Sequence, residues 1–494
     1  MMNRRTIALC IVHVLVLMVL AGCGGNGSPN PSPVPPSPPA PLSAKNVNLI
    51  FVASEDLAHH AAGDINLTTA NLTSQGLQRS LRMAAFLQQQ VLGKQNVTEI
   101  YALEPMTHPQ TAGNLPDMVG LETIQQFAML NQVTLSSNQY GEAPLAAHSF
   151  PIHASYSPSS VPDSDVAMPD PPCANCQGLD FSDKEGDNDV LLAGIVQANV
   201  PGFYVFSAPW ETVSAMMATI NRSGGNNLVV PTRYVSPNYI YAISIAPSGS
   251  ASLTVYNSNV NPPSTYPVLT PPLAGAPCQQ TPFSITVTGG RGGAVVPAGI
   301  NTNETLYFIR HADAHPTAYW NDNNYIAAGH WRALDLPNAL RGKVSVDQVY
   351  SIDPAQYGPG SLDAAGDHTW SSVAPALTAA PYAIANKLPY HLVTSFELSS
   401  PAANALPTSN FFFTGGKFSH QRMLVAWSFQ FIQPAINALL ASYHGNNQPA
   451  PAWPPDDYDS IWTVQLDAVG NATVSNGTCE GIDSSKLPAT PPQF

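Results

Sequence analysis

The chain has 494 residues and a formal net charge of −14, because 32 Asp and Glu residues oppose 18 Lys and Arg residues. Hydrophobic residues make up 44% of the chain, which excludes general disorder. The acidic balance argues against nucleic-acid binding, which needs a basic surface. The length favours two domains with linkers, since a typical domain has roughly 100–200 residues.

The amino terminus resembles a bacterial lipoprotein signal peptide. Two arginines precede an apolar run at residues 7–20, which is too short for a spanning helix. Small residues then lead into Cys23, so residues 1–22 are interpreted as a removed signal peptide and Cys23 as the lipidated residue. An ordinary signal peptide with a chance cysteine is the alternative. Glycine follows Cys23, and by resemblance to Gram-negative lipoproteins this favours an outer-membrane anchor facing the periplasm or the cell surface.

Proline-rich stretches divide the rest of the chain. Residues 23–45 are rich in Pro and Ser and predict a semi-rigid tether. Residues 261–300 predict a linker rich in Pro and Gly, whose glycines lack the GxxxxGK[ST] order of a phosphate-binding loop. The remaining sequence predicts two domains, at 46–260 and 301–482, and a tail at 483–494.

The two predicted domains carry the same succession of elements. The first has a buried strand at 48–52, an amphipathic helix through Leu92, and strands at 99–102 and 239–245. The second has a strand at 305–309, a helix from Gly329 through Leu340, and strands at 348–351 and 460–466. Strands that alternate with helices predict an α/β fold with helices on both faces of a largely parallel sheet. The chain is therefore predicted to hold two diverged copies of one α/β unit.

Four cysteines remain in the part expected to be exported, and an even number there indicates disulfides. Of the three pairings that four cysteines allow, we favour Cys173–Cys176 and Cys278–Cys479. The second bond would join the two ends of the C-terminal half. A redox or zinc site at Cys173 and Cys176 is disfavoured, because this Pro-rich stretch has no second CxxC pair.

The sharpest chemical signal is Arg310-His311, which directly follows the strand at 305–309. Ligands of open α/β sheets bind beyond the carboxyl ends of the strands. An arginine there can hold a phosphate with its planar guanidinium, and a histidine can act as a nucleophile or as an acid–base group. The pair therefore indicates a candidate phosphate site.

With these motifs in order, the chain resembles the histidine phosphatase superfamily, which has the phosphoglycerate-mutase-like fold. The family opens on a strand and Arg-His-Gly, continues with Gly-x-x-Gln-Ala on a helix, and then has a strand ending in Tyr-Ser. The matching segments here are Arg310-His-Ala312, the degenerate Gly329-His-Trp-Arg-Ala333, and Val349-Tyr-Ser351. The resemblance implies three-layer α/β/α domains in both halves.

The same resemblance implies phosphoryl transfer from a small phosphorylated substrate, without a cofactor or a metal ion. His311 would attack phosphorus, and Arg310 would neutralise the phosphoryl oxygens. Glu397 lies about where the family places the acid that protonates the leaving oxygen, although a solvated loop carboxylate is the alternative. His315 and Ser351 are the further candidates for substrate contact.

The chain departs from the family at important positions. The second histidine of the family falls on Phe429 and its second arginine on Gln356, so much of the expected positive charge is missing. The first half has Ala53-Ser54 in place of Arg-His and is interpreted as non-catalytic. Two functions stay open: a phosphatase that uses His311, and an inactive pseudo-phosphatase that serves as a binding or structural lipoprotein.

Overall fold

The computed structural model describes most of the chain after residue 37. The described ranges are 38–59, 63–135, 145–149, 151–154, 178–183, 186–290, 294–314, 323–354, 371–393 and 401–494. Residues 1–22 and Cys23 lie outside these ranges, as do Cys173 and Cys176. Among the described residues, no helix combines the length and the apolar character needed to cross a membrane.

Among its described residues, the first half contains a five-stranded sheet, a separate two-stranded ribbon and four α-helices, together with a short π-helix (Leu87–Val91) that continues the first α-helix and a 3-10 helix (Pro105–Thr107). In chain order the elements are β1 (Val47–Ser54), α1 (Ser74–Phe86), β2 (Glu99–Ala102), α2 (Val119–Leu130), β3 (Gln132–Leu135), β4 (Leu145–Ser149), α3 (Asp187–Ala198), β5 (Gly202–Pro209), α4 (Trp210–Ser223), β6 (Tyr239–Ile245) and β7 (Ala251–Asn257). The main sheet has the order β2-β5-β1-β6-β7, and β3 pairs with β4.

In the described part of the second half there are a seven-stranded sheet, four α-helices and a short 3-10 helix (Ser484–Lys486). Its elements are β8 (Ser284–Val287), β9 (Glu304–Arg310), α5 (Ala327–Ala339), β10 (Gln348–Ile352), α6 (Val373–Asn386), β11 (Tyr390–Val393), α7 (Pro401–Phe413), β12 (Arg422–Trp427), α8 (Phe429–Ser442), β13 (Ser460–Leu466) and β14 (Ala472–Cys479). The sheet has the order β11-β10-β12-β9-β13-β14-β8.

The two sheets share one strand arrangement. β1 lies between parallel β5 and antiparallel β6, and β9 lies in the same way between parallel β12 and antiparallel β13. Without the outer strands β11 and β8, the second order becomes β10-β12-β9-β13-β14, which matches the first strand for strand. The predicted α/β class is confirmed. In each sheet the parallel strands lie toward one edge. The strands toward the other edge are antiparallel and include the hairpins β6–β7 and β13–β14.

The central strands are apolar because helices cover both faces of each sheet. All eight residues of β1 are buried, as expected for a strand that has no solvent-facing side. One face of the first sheet packs on α3 and α4, and one face of the second packs on α7 and α8. The opposite faces of both sheets contribute to a single hydrophobic cluster with α1, α2, α5 and α6. The two halves therefore share a core.

Buried polar contacts also join the two halves. The side-chain amides of Gln125 in α2 and Asn324, which precedes α5, exchange two hydrogen bonds of 2.8 and 3.1 Å. Nε2 of His330 lies 2.6 Å from the amide oxygen of Gln126. Burial lowers the pKa of His330 to about 3, so its imidazole is neutral in this interface.

A disulfide joins Cys278, in the linker, to Cys479, at the end of β14. This is the pairing favoured from the sequence. The bond connects the segment before the second sheet to its last strand, so residues 278–479 form a covalently closed loop.

Candidate functional site

The Arg310-His311 pair lies at the carboxyl end of the central strand of the second sheet. β9 runs parallel to β12, which in turn is parallel to β10, so these three strands end at the same edge. On the other side β9 pairs with antiparallel β13. β9 is followed by α5 on one face of the sheet, whereas its parallel neighbour β12 is followed by α8 on the other face. In open α/β sheets, adjacent strands whose connections leave to opposite faces open a crevice for ligands.

Arg310 is buried, with 6% of its surface exposed, and aromatic rings enclose its guanidinium group. Its Cζ lies 4.5 Å from the ring centre of Phe429 and 3.7 Å from that of Tyr458. Nη1 donates to the carbonyl oxygen of Pro455, and Nη2 donates to the Tyr458 hydroxyl at 3.1 Å. Nε has no hydrogen-bond partner among the described residues. Burial lowers the pKa of Arg310 from its ordinary value, and the cation–π contacts offset part of the lost hydration.

His311 is held in one orientation by its neighbours. Its backbone N–H donates to the carbonyl oxygen of Trp427 at 2.8 Å, and its ring Nδ1 lies 2.9 Å from the carbonyl oxygen of Ala312. Because a carbonyl only accepts, this contact assigns the ring proton to Nδ1 and leaves a lone pair on Nε2. Burial and the adjacent charge of Arg310 lower the pKa of His311 to about 3. The imidazole is therefore neutral near pH 7.

The Gly329–Ala333 motif does not line this site. Its residues pack behind the site and hold the loop after β9 in place. Arg332 in α5 is fully buried, and its Nε donates to Asp313 at 2.5 Å. Its Nη1 donates to Glu480 at 2.7 Å. Burial alone would lower the pKa of Arg332, but the carboxylates of Asp313 and Glu480 raise it above its ordinary value. Arg332 thereby ties the loop after β9 to the residues that follow β14.

A glycine is required where α5 approaches this loop. A Cβ atom on Gly329 would lie 2.4 Å from the carbonyl oxygen of Asp313, which is closer than atoms can approach. The first half repeats the arrangement: Gly76 in α1 packs on Asp64, and Arg79 forms an ion pair with the Asp64 carboxylate. The degenerate Gly-x-x-Arg motif is therefore a shared structural device of both halves.

Other predicted site residues have different surroundings. The Ser351 side chain, at the end of β10, is fully buried and donates to the carbonyl oxygen of Ala426 at 3.1 Å, which joins β10 to β12. Phe429, where the resemblance led us to expect a second histidine, begins α8 and covers Arg310. His315, Gln356 and Glu397 lie outside the described residues.

Sequence reasoning missed two features of these strand ends. The first is Tyr458, which contacts Arg310 and lies edge-on to His311 with ring centres 6.0 Å apart. The second is a group of ionisable side chains at the open end of the first sheet, formed by Asp56, His59 and Glu211. Neither is marked by a motif, because both depend on residues that are far apart in the chain.

Comparisons with known proteins find only distant similarity to solved structures. No family model matches the chain, and no curated protein matches it. One solved structure with limited similarity is phosphoserine phosphatase from Entamoeba histolytica in complex with 3-phosphoglyceric acid, at 12% identity and a TM-score of 0.21, covering 36% of this chain and 99% of that one. Another is a mutant of the same enzyme in complex with phosphoserine, at 13% identity and a TM-score of 0.19, covering 35% of this chain and 96% of that one. A function for this chain is therefore argued from its own residues.

Proposed function

We propose that this chain hydrolyses small phosphomonoesters through a phosphohistidine formed at Nε2 of His311. The observation that carries the proposal is the state of that imidazole. It is neutral, it is oriented through Nδ1 by the Ala312 carbonyl, and it stands next to Arg310 at the carboxyl end of the central strand. A nucleophilic nitrogen needs a free lone pair and a fixed direction, and this arrangement supplies both.

The reaction follows from these groups. Nε2 of His311 forms a bond to phosphorus while the bond from phosphorus to the leaving oxygen breaks, and an acid protonates that oxygen. Glu397 is the proposed acid. Water then cleaves the phosphorus–nitrogen bond, which releases phosphate and restores the imidazole. Arg310 would meet the charge on the phosphoryl oxygens through its Nε and its remaining N–H groups.

One observation favours the second candidate function, a non-catalytic binding or structural lipoprotein. The guanidinium of Arg310 lies against the rings of Phe429 and Tyr458 and already donates to the Pro455 carbonyl. An arginine held in this way has fewer donors for a phosphate. The aromatic residue at position 429 also replaces the second histidine on which the family relies.

Phosphate release separates the two candidates. We expect the chain to release inorganic phosphate from p-nitrophenyl phosphate, a sugar phosphate or phosphoserine near pH 5 or pH 7. His311→Ala should lower this rate by about 10³-fold or more, as removal of a nucleophile does. His444→Ala is the matched control, because this histidine is exposed and its backbone carbonyl, which the substitution keeps, accepts the N–H of Val295 at 2.9 Å. Absence of turnover above the His311→Ala level, with no trapped phosphohistidine, would establish the non-catalytic candidate.

We also propose that the chain is anchored in the outer membrane by lipid on Cys23, with no nucleic-acid partner. The support is the signal-like residues 1–22 and the acidic composition. Metabolic labelling with palmitate should mark the wild type and leave Cys23→Ser unlabelled. Equal labelling of both proteins would contradict the anchor.

A further inference from the structure

Three potential metal ligands converge at the open end of the first sheet. Asp56 and His59 lie in the loop after β1, and Glu211 lies in the first turn of α4, directly after β5. Because β1 and β5 are parallel, their carboxyl ends bring these segments together. One ligand atom from each of the three side chains lies within 4.8 Å of the others. The group occupies the place in the first half that Arg310-His311 occupies in the second.

The loop holds the imidazole beside both carboxylates. Oδ1 of Asp56 accepts the backbone N–H groups of Ala58 at 2.9 Å and His59 at 2.8 Å, which turns the chain back on itself. Nδ1 of His59 then lies 2.7 Å from Oε1 of Glu211 and 3.4 Å from Oδ1 of Asp56. The same nitrogen thus faces two carboxylates.

The charges of this group do not balance. Asp56 is about 2% exposed, and Glu211 is half-buried beside it. In the part of the chain that the structure describes, His59 is the one basic side chain within 4 Å of Asp56 or Glu211. Oε2 of Glu211 is buried and has no hydrogen-bond partner among those residues.

Buried carboxylates in excess need a proton or a cation. Burial and the charge of Asp56 raise the pKa of Glu211, so a proton can serve this purpose when no cation is bound. A bound cation would displace that proton, since metal ligands must be deprotonated. The group therefore has the side chains of a cation site, and its negative charge is not balanced by the basic side chain beside it.

We propose that Asp56, His59 and Glu211 bind a divalent transition-metal cation, with Zn²⁺ preferred. An imidazole nitrogen with two carboxylate oxygens suits Zn²⁺ better than Mg²⁺ or Ca²⁺, which favour oxygen ligands alone. Zinc bonds of about 2.0–2.2 Å place neighbouring ligand atoms roughly 3.3 Å apart in a tetrahedral site. The distance of 3.4 Å between the His59 nitrogen and Asp56 already fits this value, and the distance of 2.7 Å to Glu211 would lengthen by about 0.6 Å. His59 and Glu211 are 37% and 35% exposed, which leaves the remaining coordination to water.

Calorimetric titration of the chain with Zn²⁺ at neutral pH tests the proposal, with Mg²⁺ titrated in parallel. We expect Zn²⁺ to bind and both His59→Ala and Glu211→Gln to weaken this binding at least about tenfold. Their exposure makes both substitutions compatible with folding, which circular dichroism checks. His108→Ala is the matched control: this histidine also pairs with a buried carboxylate, Asp117 at 2.8 Å, but forms no ion pair with a second carboxylate among the described residues.

Substitution with Co²⁺ gives a second readout, because its visible absorption reports the ligand set. The absorption should be present in the wild type and in His108→Ala, and lost in His59→Ala. Equal Zn²⁺ affinity in all four proteins, or no Zn²⁺ binding at millimolar concentration, would overturn the proposal and leave the group as an ion pair that shares a proton.

Discussion

At the scale of single residues, Arg310 and Arg332 lie inside the protein, whereas other basic residues such as Arg422 are exposed. Arg332 has no exposed surface and satisfies two carboxylates, and Arg310 is enclosed by aromatic rings. Desolvation of a guanidinium is costly unless its N–H groups are met. The protein meets those of Arg332 with two carboxylates, a carbonyl oxygen and a hydroxyl, whereas Nε of Arg310 has no partner among the described residues. A sequence comparison that counts arginines near a phosphate motif cannot distinguish such structural arginines from ligand-binding ones.

Replacement of Arg332 measures this structural role. Arg332→Met should lower the free energy of unfolding by about 3–5 kcal/mol, because the Asp313 and Glu480 carboxylates would stay buried without a partner. Urea unfolding checks the change. Arg422→Met is the control, since the ion pair of Arg422 with Asp347 is exposed and its loss should have no measurable effect. Equal stability of Arg332→Met and the wild type would show that the buried pairs stabilise nothing.

At the scale of elements, the two halves place equivalent acids against each other. Glu104 follows β2 and Asp353 follows β10, the matching strands of the two sheets, and both side chains are fully buried. Burial, and then the nearby charge of Asp353, raise the pKa of Glu104 well above its ordinary value of 4.5. The folded state therefore favours the protonated form of Glu104 more strongly than the unfolded chain does.

This proton makes stability depend on pH. The folded pKa of Glu104 is raised, so its favourable contribution is complete below an unfolded pKa of about 4.3 and is lost as pH rises toward the folded value. We expect Glu104→Gln, which keeps the neutral form, to lose less stability than the wild type between pH 5 and pH 8 in urea unfolding. Asp347→Asn, at an exposed acid, should not flatten the curve. The same pH slope in Glu104→Gln and the wild type would contradict this assignment.

The sequence predicts the regular elements better than their contacts. The strands at 99–102, 239–245 and 460–466 coincide with β2, β6 and β13, because continuous apolar runs between turn residues are a local signal. Helix α7 was not predicted, since Pro407 lies inside it and its apolar residues form only a weak stripe. The contact of Phe429 with Arg310 depends on the ends of β9 and β12 meeting, which no local pattern encodes.

At the scale of the whole molecule, the shared core predicts one unfolding transition. Leu377 in α6 is almost fully buried in the cluster that also contains α2 and the first sheet. Leu377→Ala should cost about 2–5 kcal/mol and should shift a single calorimetric peak to lower temperature, because neither half keeps a complete core alone. Leu406→Ala is the control, as this leucine is 57% exposed. Two separate peaks, with only one displaced, would show that the halves unfold independently.

The disulfide between Cys278 and Cys479 has a consequence for the order of synthesis and for proteolysis. Cys479 is synthesised 201 residues after Cys278. The bond can therefore form only after nearly all strands of the second sheet have been synthesised. Once formed, it makes the second half a closed ring of polypeptide. A protease that cuts one peptide bond inside this ring yields two pieces that migrate together until a reducing agent separates them.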